Sequence, residues 1–165
     1  CGGKIFLWGE VMELQSMYQE IILDHYRNPV GRLVLEPFDA EVHHVNPTCG
    51  DEITLRVKID DGVVTAIGHQ GQGCSISQAS TSVMTELLEG RTVQQALDVE
   101  AGFLALMQSR GEGQPDEDLL EDAVAFSGVS KYPARVNYCS TENLFAPSRI
   151  NRAALYSNNI RSSHI

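Results

Sequence analysis

The sequence has 165 residues, of which 42% are apolar, and it carries a formal net charge of −10 at neutral pH. This length suits one domain with a hydrophobic core, and the ordinary apolar content argues against intrinsic disorder. No apolar run is long enough to span a membrane, and the acidic balance argues against a nucleic-acid or anionic-membrane partner, so we expect a cytoplasmic protein.

The N-terminal segment predicts a short extension followed by an amphipathic helix. Residues 1–11 show no hydrophobic period, so we interpret them as an extension of the domain. Apolar residues at helical spacing then predict a helix over about 15–27. Ser16 and Gln19 form a capping-box pattern at its start, and Asn28-Pro29 ends it.

Three strands are predicted next. Residues 40–46 alternate in part, and apolar residues alternate cleanly with polar ones from Ile53 to Ile59. Asp61-Gly62 is a hairpin signal, after which residues 63–70 return as a third strand. Short connections between consecutive strands indicate an antiparallel meander.

Helices are predicted after the strands. Apolar residues from Ile76 to Leu88 share one helical face, which ends at Gly90. Thr92 and Gln95 form a second capping box, which opens another helix. That helix is expected to bury Val93, Ala96, Leu97, Leu104 and Met107.

The remaining pattern completes an α+β fold. Residues 110–118 are a polar, acidic loop, a helix is predicted over about 116–127, and Pro133 suits the first turn of another. Strands followed by helices predict a three-stranded antiparallel sheet with helices packed on one face.

The cysteines point to metal or sulfur chemistry. They are Cys1, Cys49, Cys74 and Cys139. No signal peptide is visible, and a chain of this size does not need disulfide bonds to fold. Free thiols are therefore favoured over two disulfide bonds.

Two loops are expected to meet at one edge of the sheet. Cys49 and Asp51 lie between the first two strands, and Cys74 follows the third strand at the start of a helix, where the helix dipole favours a thiolate. Two thiolates and a carboxylate suit Zn²⁺. Taken singly, each cysteine also fits a small residue in a tight turn, and Asp51 fits a turn cap.

Further ligands remain open at this point. Cys139 would complete a four-coordinate zinc site, and iron–sulfur clusters also favour thiolates. His43, His44 and His69 are possible ligands, although a strand histidine more often lies at the surface or in a satisfied core.

Three long motifs resemble one family. The stretches HVNPTCGDEITLRV, GQGCSISQASTSVMTELLEG and FSGVSKYPARV are similar to the SufU branch of the IscU/SufU/NifU-N iron–sulfur cluster assembly family. The resemblance covers residues 12–136 and implies an α+β fold of the SufE/NifU-N type. It also implies that Cys49, Asp51 and Cys74 are metal ligands.

The C-terminal segment departs from the family pattern. Family members place the third cysteine two residues after the ARV stretch, but Cys139 comes one residue later, and Tyr138 precedes it where IscU-type relatives have histidine. One residue turns a helix by about 100°. We therefore expect residues 137–165 to form an atypical extension that is less ordered than the domain, and Cys139 to add little to metal affinity.

The resemblance implies a function. The expected activity is that of a zinc-binding sulfur acceptor, in which Cys49 takes persulfide sulfur from a SufS-type cysteine desulfurase. A scaffold for assembly of a 2Fe–2S cluster, with iron in place of zinc, is the alternative within the family. A zinc hydrolase and a purely structural zinc module are more remote alternatives.

Overall fold

The computed structural model describes residues 4–46 and 50–132, with side chains from Met12 onward. The elements in chain order are α1 (Lys4–Arg27), β1 (Ala40–Asn46), β2 (Asp51–Asp60), β3 (Val63–Gln72), α2 (Ser75–Leu88), α3 (Val93–Gln108), α4 (Glu117–Leu120) and a 3₁₀ helix (Glu121–Lys131). Within the described ranges, no helix is both long and apolar enough to cross a membrane.

The three strands form the predicted antiparallel meander, in the order β1-β2-β3. β1 pairs with β2 from Ala40↔Val57 to Asn46↔Asp51. Asp61 and Gly62 connect β2 to β3 with φ values of 49° and 76°, the two positive values that a tight hairpin turn of this kind requires.

A bulge interrupts the pairing of β2 with β3. Lys58 pairs with Ala66, but Ile59 pairs with Val64, so β3 carries one extra residue, Thr65. Because of that extra residue, Val64 and Ile67 both join the same core although they are three positions apart.

The core lies between the sheet and the helices. β2 contributes Leu55, Val57 and Ile59, whereas the polar residues between them are partly exposed. Phe103 of α3 packs edge-to-face on Phe126 of the 3₁₀ helix, with ring centroids 5.9 Å apart. The α+β prediction is confirmed.

Helices α2 and α3 begin and end as the sequence predicts. Gly90 follows α2 with a φ of 80°, and Thr92 caps α3. The hydroxyl of Thr92 accepts from the backbone N–H of Gln95, whose side chain accepts in return from the backbone N–H of Thr92.

The prediction for the start of α1 is wrong. The helix begins at Lys4 rather than near residue 15, so Ser16 and Gln19 lie inside it and form no capping box. Residues 10–15 are mostly good helix formers, and extending an existing helix is far easier than nucleating one. The predicted end is confirmed, since the backbone N–H of Asn28 still bonds to the Asp24 carbonyl after α1 stops at Arg27.

The helix predicted over 116–127 is also partly wrong. Asp116 caps α4, which lasts only four residues before Glu121 takes a φ of 44°. Residues 121–131 continue as a 3₁₀ helix that buries Phe126 and Val129. The helix expected at Pro133 and the extension at 137–165 lie outside the described residues.

Candidate metal centre

One edge of the sheet collects the ends of β1 and β3 and the start of β2. Asn46 pairs with Asp51, and Glu52 pairs with Gln72. Only Gly73 and Cys74 separate β3 from α2. The structure therefore places the start of α2 beside the first residue of β2, as the meander predicts.

Asp51 and Cys74 are in direct contact at this edge. The backbone N–H of Cys74 donates to Oδ1 of Asp51 over 3.2 Å. Cys49 and Cys139, the other two predicted ligands, lie outside the described residues.

Cys74 is the N-cap of α2. Its φ and ψ of −68° and 162° are extended, and its Sγ accepts a hydrogen bond from the backbone N–H of Ser77 over 3.4 Å. The side chain is exposed and the thiol is free. A helix N-terminus presents N–H donors and a positive dipole end, so the Cys74 side chain stands where an anionic group would be stabilised.

The second carboxylate oxygen of Asp51 carries the clearest sign of a ligand. Oδ2 is buried and has no hydrogen-bond partner within the part of the chain that the structure describes. A buried carboxylate oxygen without a donor is unfavourable, and a cation would satisfy it. A carboxylate oxygen of this kind, on a residue that contacts the backbone of Cys74, fits the ligand preferences of zinc together with that exposed thiol.

His69 is engaged in the core and not at this edge. His69 is buried, and its Nε2 donates to the carbonyl of Val30 over 2.7 Å. Burial lowers the pKa of His69; the bond to Val30 opposes this shift, and the nearby charge of Arg32 adds to it. His69 is therefore a satisfied core residue.

His43 is instead a surface residue, bonded to Thr54 over 3.0 Å and 3.5 Å from a carboxylate oxygen of Glu52. His44 lies on β1 opposite Ile53. In residues 4–46 and 50–132, no three His, Cys, Asp or Glu side chains cluster as metal ligands would.

Sequence reasoning missed two residues that shape the Cys74 turn. Ser77 donates through its hydroxyl to the Cys74 carbonyl, and Gln78 donates through its side-chain amide to the Gly73 carbonyl over 2.6 Å. The signal was present in the spacing, because Ser77 stands three residues after the N-cap, where capping partners occur.

The chain also matches a known family along most of its length. Residues 17–139 match the family described as NifU-like N terminal domain, and this range includes Asp51 and Cys74. The chain belongs to this family.

Relatives within the family carry two kinds of name. The zinc-dependent sulfurtransferase SufU of Bacillus subtilis is 41% identical over 128 residues, which cover 78% of this chain and 84% of that protein. The iron–sulfur cluster assembly scaffold protein IscU of Streptococcus pyogenes is 36% identical over 129 residues, or 78% and 79% of the two chains.

Solved structures support the same membership. A putative iron–sulfur cluster assembly scaffold protein for the SUF system, from Fervidobacterium islandicum, superposes with a TM-score of 0.67 at 33% identity, over 74% of this chain and 87% of that one. The N-terminal part of a NifU-like protein from Brucella abortus gives 0.69 at 25% identity, over 86% and 94% of the two chains.

Proposed function

We propose that this chain is an iron–sulfur cluster assembly protein that binds zinc and accepts persulfide sulfur from a cysteine desulfurase of the SufS type. The observation that carries the proposal is the carboxylate of Asp51, whose Oδ1 accepts the Cys74 N–H while its buried Oδ2 has no partner among the described residues. The 41% identity to a protein named a zinc-dependent sulfurtransferase supports zinc as the ion.

Cys49, Asp51 and Cys74 would hold the ion. Cys49 is two residues from Asp51 in the chain, so their Cα atoms are at most about 7.6 Å apart. The described residues on either side of it are close together, because Asn46 pairs with Asp51 and the backbone N–H of Gly50 donates to the Asn46 carbonyl. Covalent connectivity therefore keeps Cys49 near the other two ligands. Bound zinc would supply stabilisation of the thiolate forms at neutral pH.

Cys49 is the proposed sulfur acceptor. Its thiolate attacks the outer sulfur of the desulfurase persulfide, and a new S–S bond forms on Cys49 as the donor S–S bond breaks. The donor cysteine leaves as a thiolate, so charge and sulfur balance with no external oxidant. A thiolate bound to a metal is a masked nucleophile, and docking of the desulfurase would have to free Cys49 for attack.

A 2Fe–2S scaffold is the second candidate function, favoured by the 36% identity to a relative named a scaffold protein. Metal analysis and an absorption spectrum of protein purified without added metal separate the two. Zinc with a colourless spectrum supports the acceptor, whereas iron, sulfide and visible absorption support the scaffold.

The decisive variant is Cys49→Ser, with Cys1→Ser as the matched control. Desulfurase loaded with persulfide should add one sulfur atom to the wild type and to Cys1→Ser, as read by intact mass, and none to Cys49→Ser. The reason is that serine is a far weaker nucleophile than a thiolate. Wild-type sulfur uptake by Cys49→Ser would refute the acceptor role, and zinc binding with no sulfur uptake by the wild type would leave a structural zinc module.

A further inference from the structure

The two oxygens of Asp51 face different surroundings. Oδ1 accepts the backbone N–H of Cys74, a residue 23 positions away, whereas Oδ2 is buried with no donor in the described part of the chain. A cation at Oδ2 would therefore share the carboxylate with the Cys74 N–H bound at Oδ1.

The bond to Oδ1 replaces a standard element of helix capping. In a capping box, the side chain three residues after the N-cap reaches back to the N-cap N–H. In α2 that residue is Ser77, but its hydroxyl donates to the Cys74 carbonyl instead. Asp51, from the neighbouring strand, accepts the Cys74 N–H in its place.

Gly73 is what allows this contact. A Cβ at Gly73 would lie 2.9 Å from Cγ of Asp51 and 2.5 Å from the hydroxyl of Ser77. Any side chain there would displace the Asp51 carboxylate and the Ser77 hydroxyl. The absence of a side chain at Gly73 therefore lets the Asp51 carboxylate lie directly against the backbone before Cys74.

We propose that Asp51 is a latch: Oδ1 fixes the first turn of α2, Oδ2 binds the metal, and metal occupancy and the conformation of the Cys74 turn are therefore coupled. The proposal rests on the proposed zinc site and adds its regulation. Metal bound at Oδ2 holds the carboxylate in place, which strengthens the bond from Oδ1 to Cys74. By reciprocity, anything that pulls the Cys74 turn away, such as a docking partner, weakens metal binding by the same factor.

Two substitutions of Asp51 separate the two oxygens. Asp51→Asn keeps an oxygen acceptor for the Cys74 N–H but places an NH₂ group where Oδ2 was, and Asp51→Ala removes both. In the full chain stripped of metal, amide hydrogen exchange at Cys74 should match the wild type in Asp51→Asn. It should be about 5-fold faster in Asp51→Ala, the factor expected for one lost hydrogen bond. Amides of Val83 and Leu87, later in α2, serve as the internal reference for folding.

Zinc titrations of the same proteins complete the test. Both variants should bind zinc at least about 10-fold more weakly. Added zinc should slow exchange at Cys74 in the wild type and in neither variant. The latch would be overturned if Cys74 exchanged at the same rate in all three metal-free proteins, or if both variants lost Cys74 protection to the same extent. A loss of zinc affinity in the variants would still support the zinc site in either case. Unchanged zinc affinity in Asp51→Ala would overturn both proposals.

Gly73→Ala tests the latch without touching a ligand, and Gly128→Ala is its control because a Cβ at Gly128 meets nothing within 4 Å. Gly73→Ala should speed exchange at Cys74 and weaken zinc binding, and Gly128→Ala should change neither. Wild-type exchange and zinc affinity in Gly73→Ala would contradict the latch.

Discussion

Single residues at the sheet edge differ in how far the sequence determines their role. The proximity of Asp51 and Cys74 follows from the order of the strands, so it could be predicted. The close approach of the Asp51 carboxylate to Gly73 and the different surroundings of its two oxygens could not be predicted. Both depend on interatomic distances, which residue spacing in the sequence does not give. The role of Cys49 as a ligand and acceptor stays a prediction.

His69 should make stability fall at acidic pH. Its pKa is lowered in the folded protein, mainly by burial, so the unfolded chain binds the proton more readily. This contribution is complete above the unfolded pKa of about 6.5 and is lost as the pH falls from there towards the folded value. We expect His69→Gln, which keeps a side-chain donor for Val30, to flatten the fall in unfolding free energy between pH 7.5 and 5.

Urea unfolding at several pH values measures this, with the exposed His43→Gln as the control. A slope in His69→Gln equal to that of the wild type would contradict the burial argument.

Whole elements were predictable where two independent signals agreed. The strands combine alternation with a turn sequence, and α3 combines an apolar face with a capping box. The same two signals found α1 but misplaced its start, because Ser16 and Gln19 match a cap yet lie within a helix that begins at Lys4. The positive φ of Glu121, which ends α4, was not predicted, because no local sequence pattern indicates such a conformation at a non-glycine residue.

The cap of α3 should contribute measurably to stability. Thr92→Ala removes the acceptor for the Gln95 N–H and should lower the unfolding free energy by about 1 kcal/mol. Thr92→Ser keeps a hydroxyl and should lose much less. Chemical denaturation of the three proteins checks the order, and equal losses in both variants would show that the methyl group matters rather than the cap.

At the scale of the whole molecule, the proposed metal centre joins the sheet to the helices. Asp51 begins β2, and Cys74 is the N-cap of α2, the first helix after the sheet. A ligand that binds only the folded chain stabilises it, by about 2.7 kcal/mol at a free concentration 100 times Kd.

Thermal unfolding should therefore respond to zinc. The Tm of the wild type should rise when zinc is added and fall with a chelator, and Asp51→Ala should lose most of this response. Asp98→Ala changes an exposed carboxylate that accepts from Gln94 on α3, so it should respond as the wild type does. A zinc response of wild-type size in Asp51→Ala would place the stabilising ion elsewhere.

The bulge at Thr65 determines which insertions and deletions the β2–β3 hairpin can tolerate during evolution. Side chains on a strand alternate between the two faces of the sheet, and the extra residue in β3 reverses this alternation once between the turn and the sheet edge. Val64 and Ile67, three positions apart, lie in the same core only because of this reversal. Deletion of Thr65 itself would restore regular pairing and leave Val64 and Ile67 two positions apart, on the same face, whereas a deletion elsewhere in β3 would turn the residues beyond it to the opposite face. This hairpin can therefore gain or lose a single residue at the bulge, but not at the paired positions on either side of it.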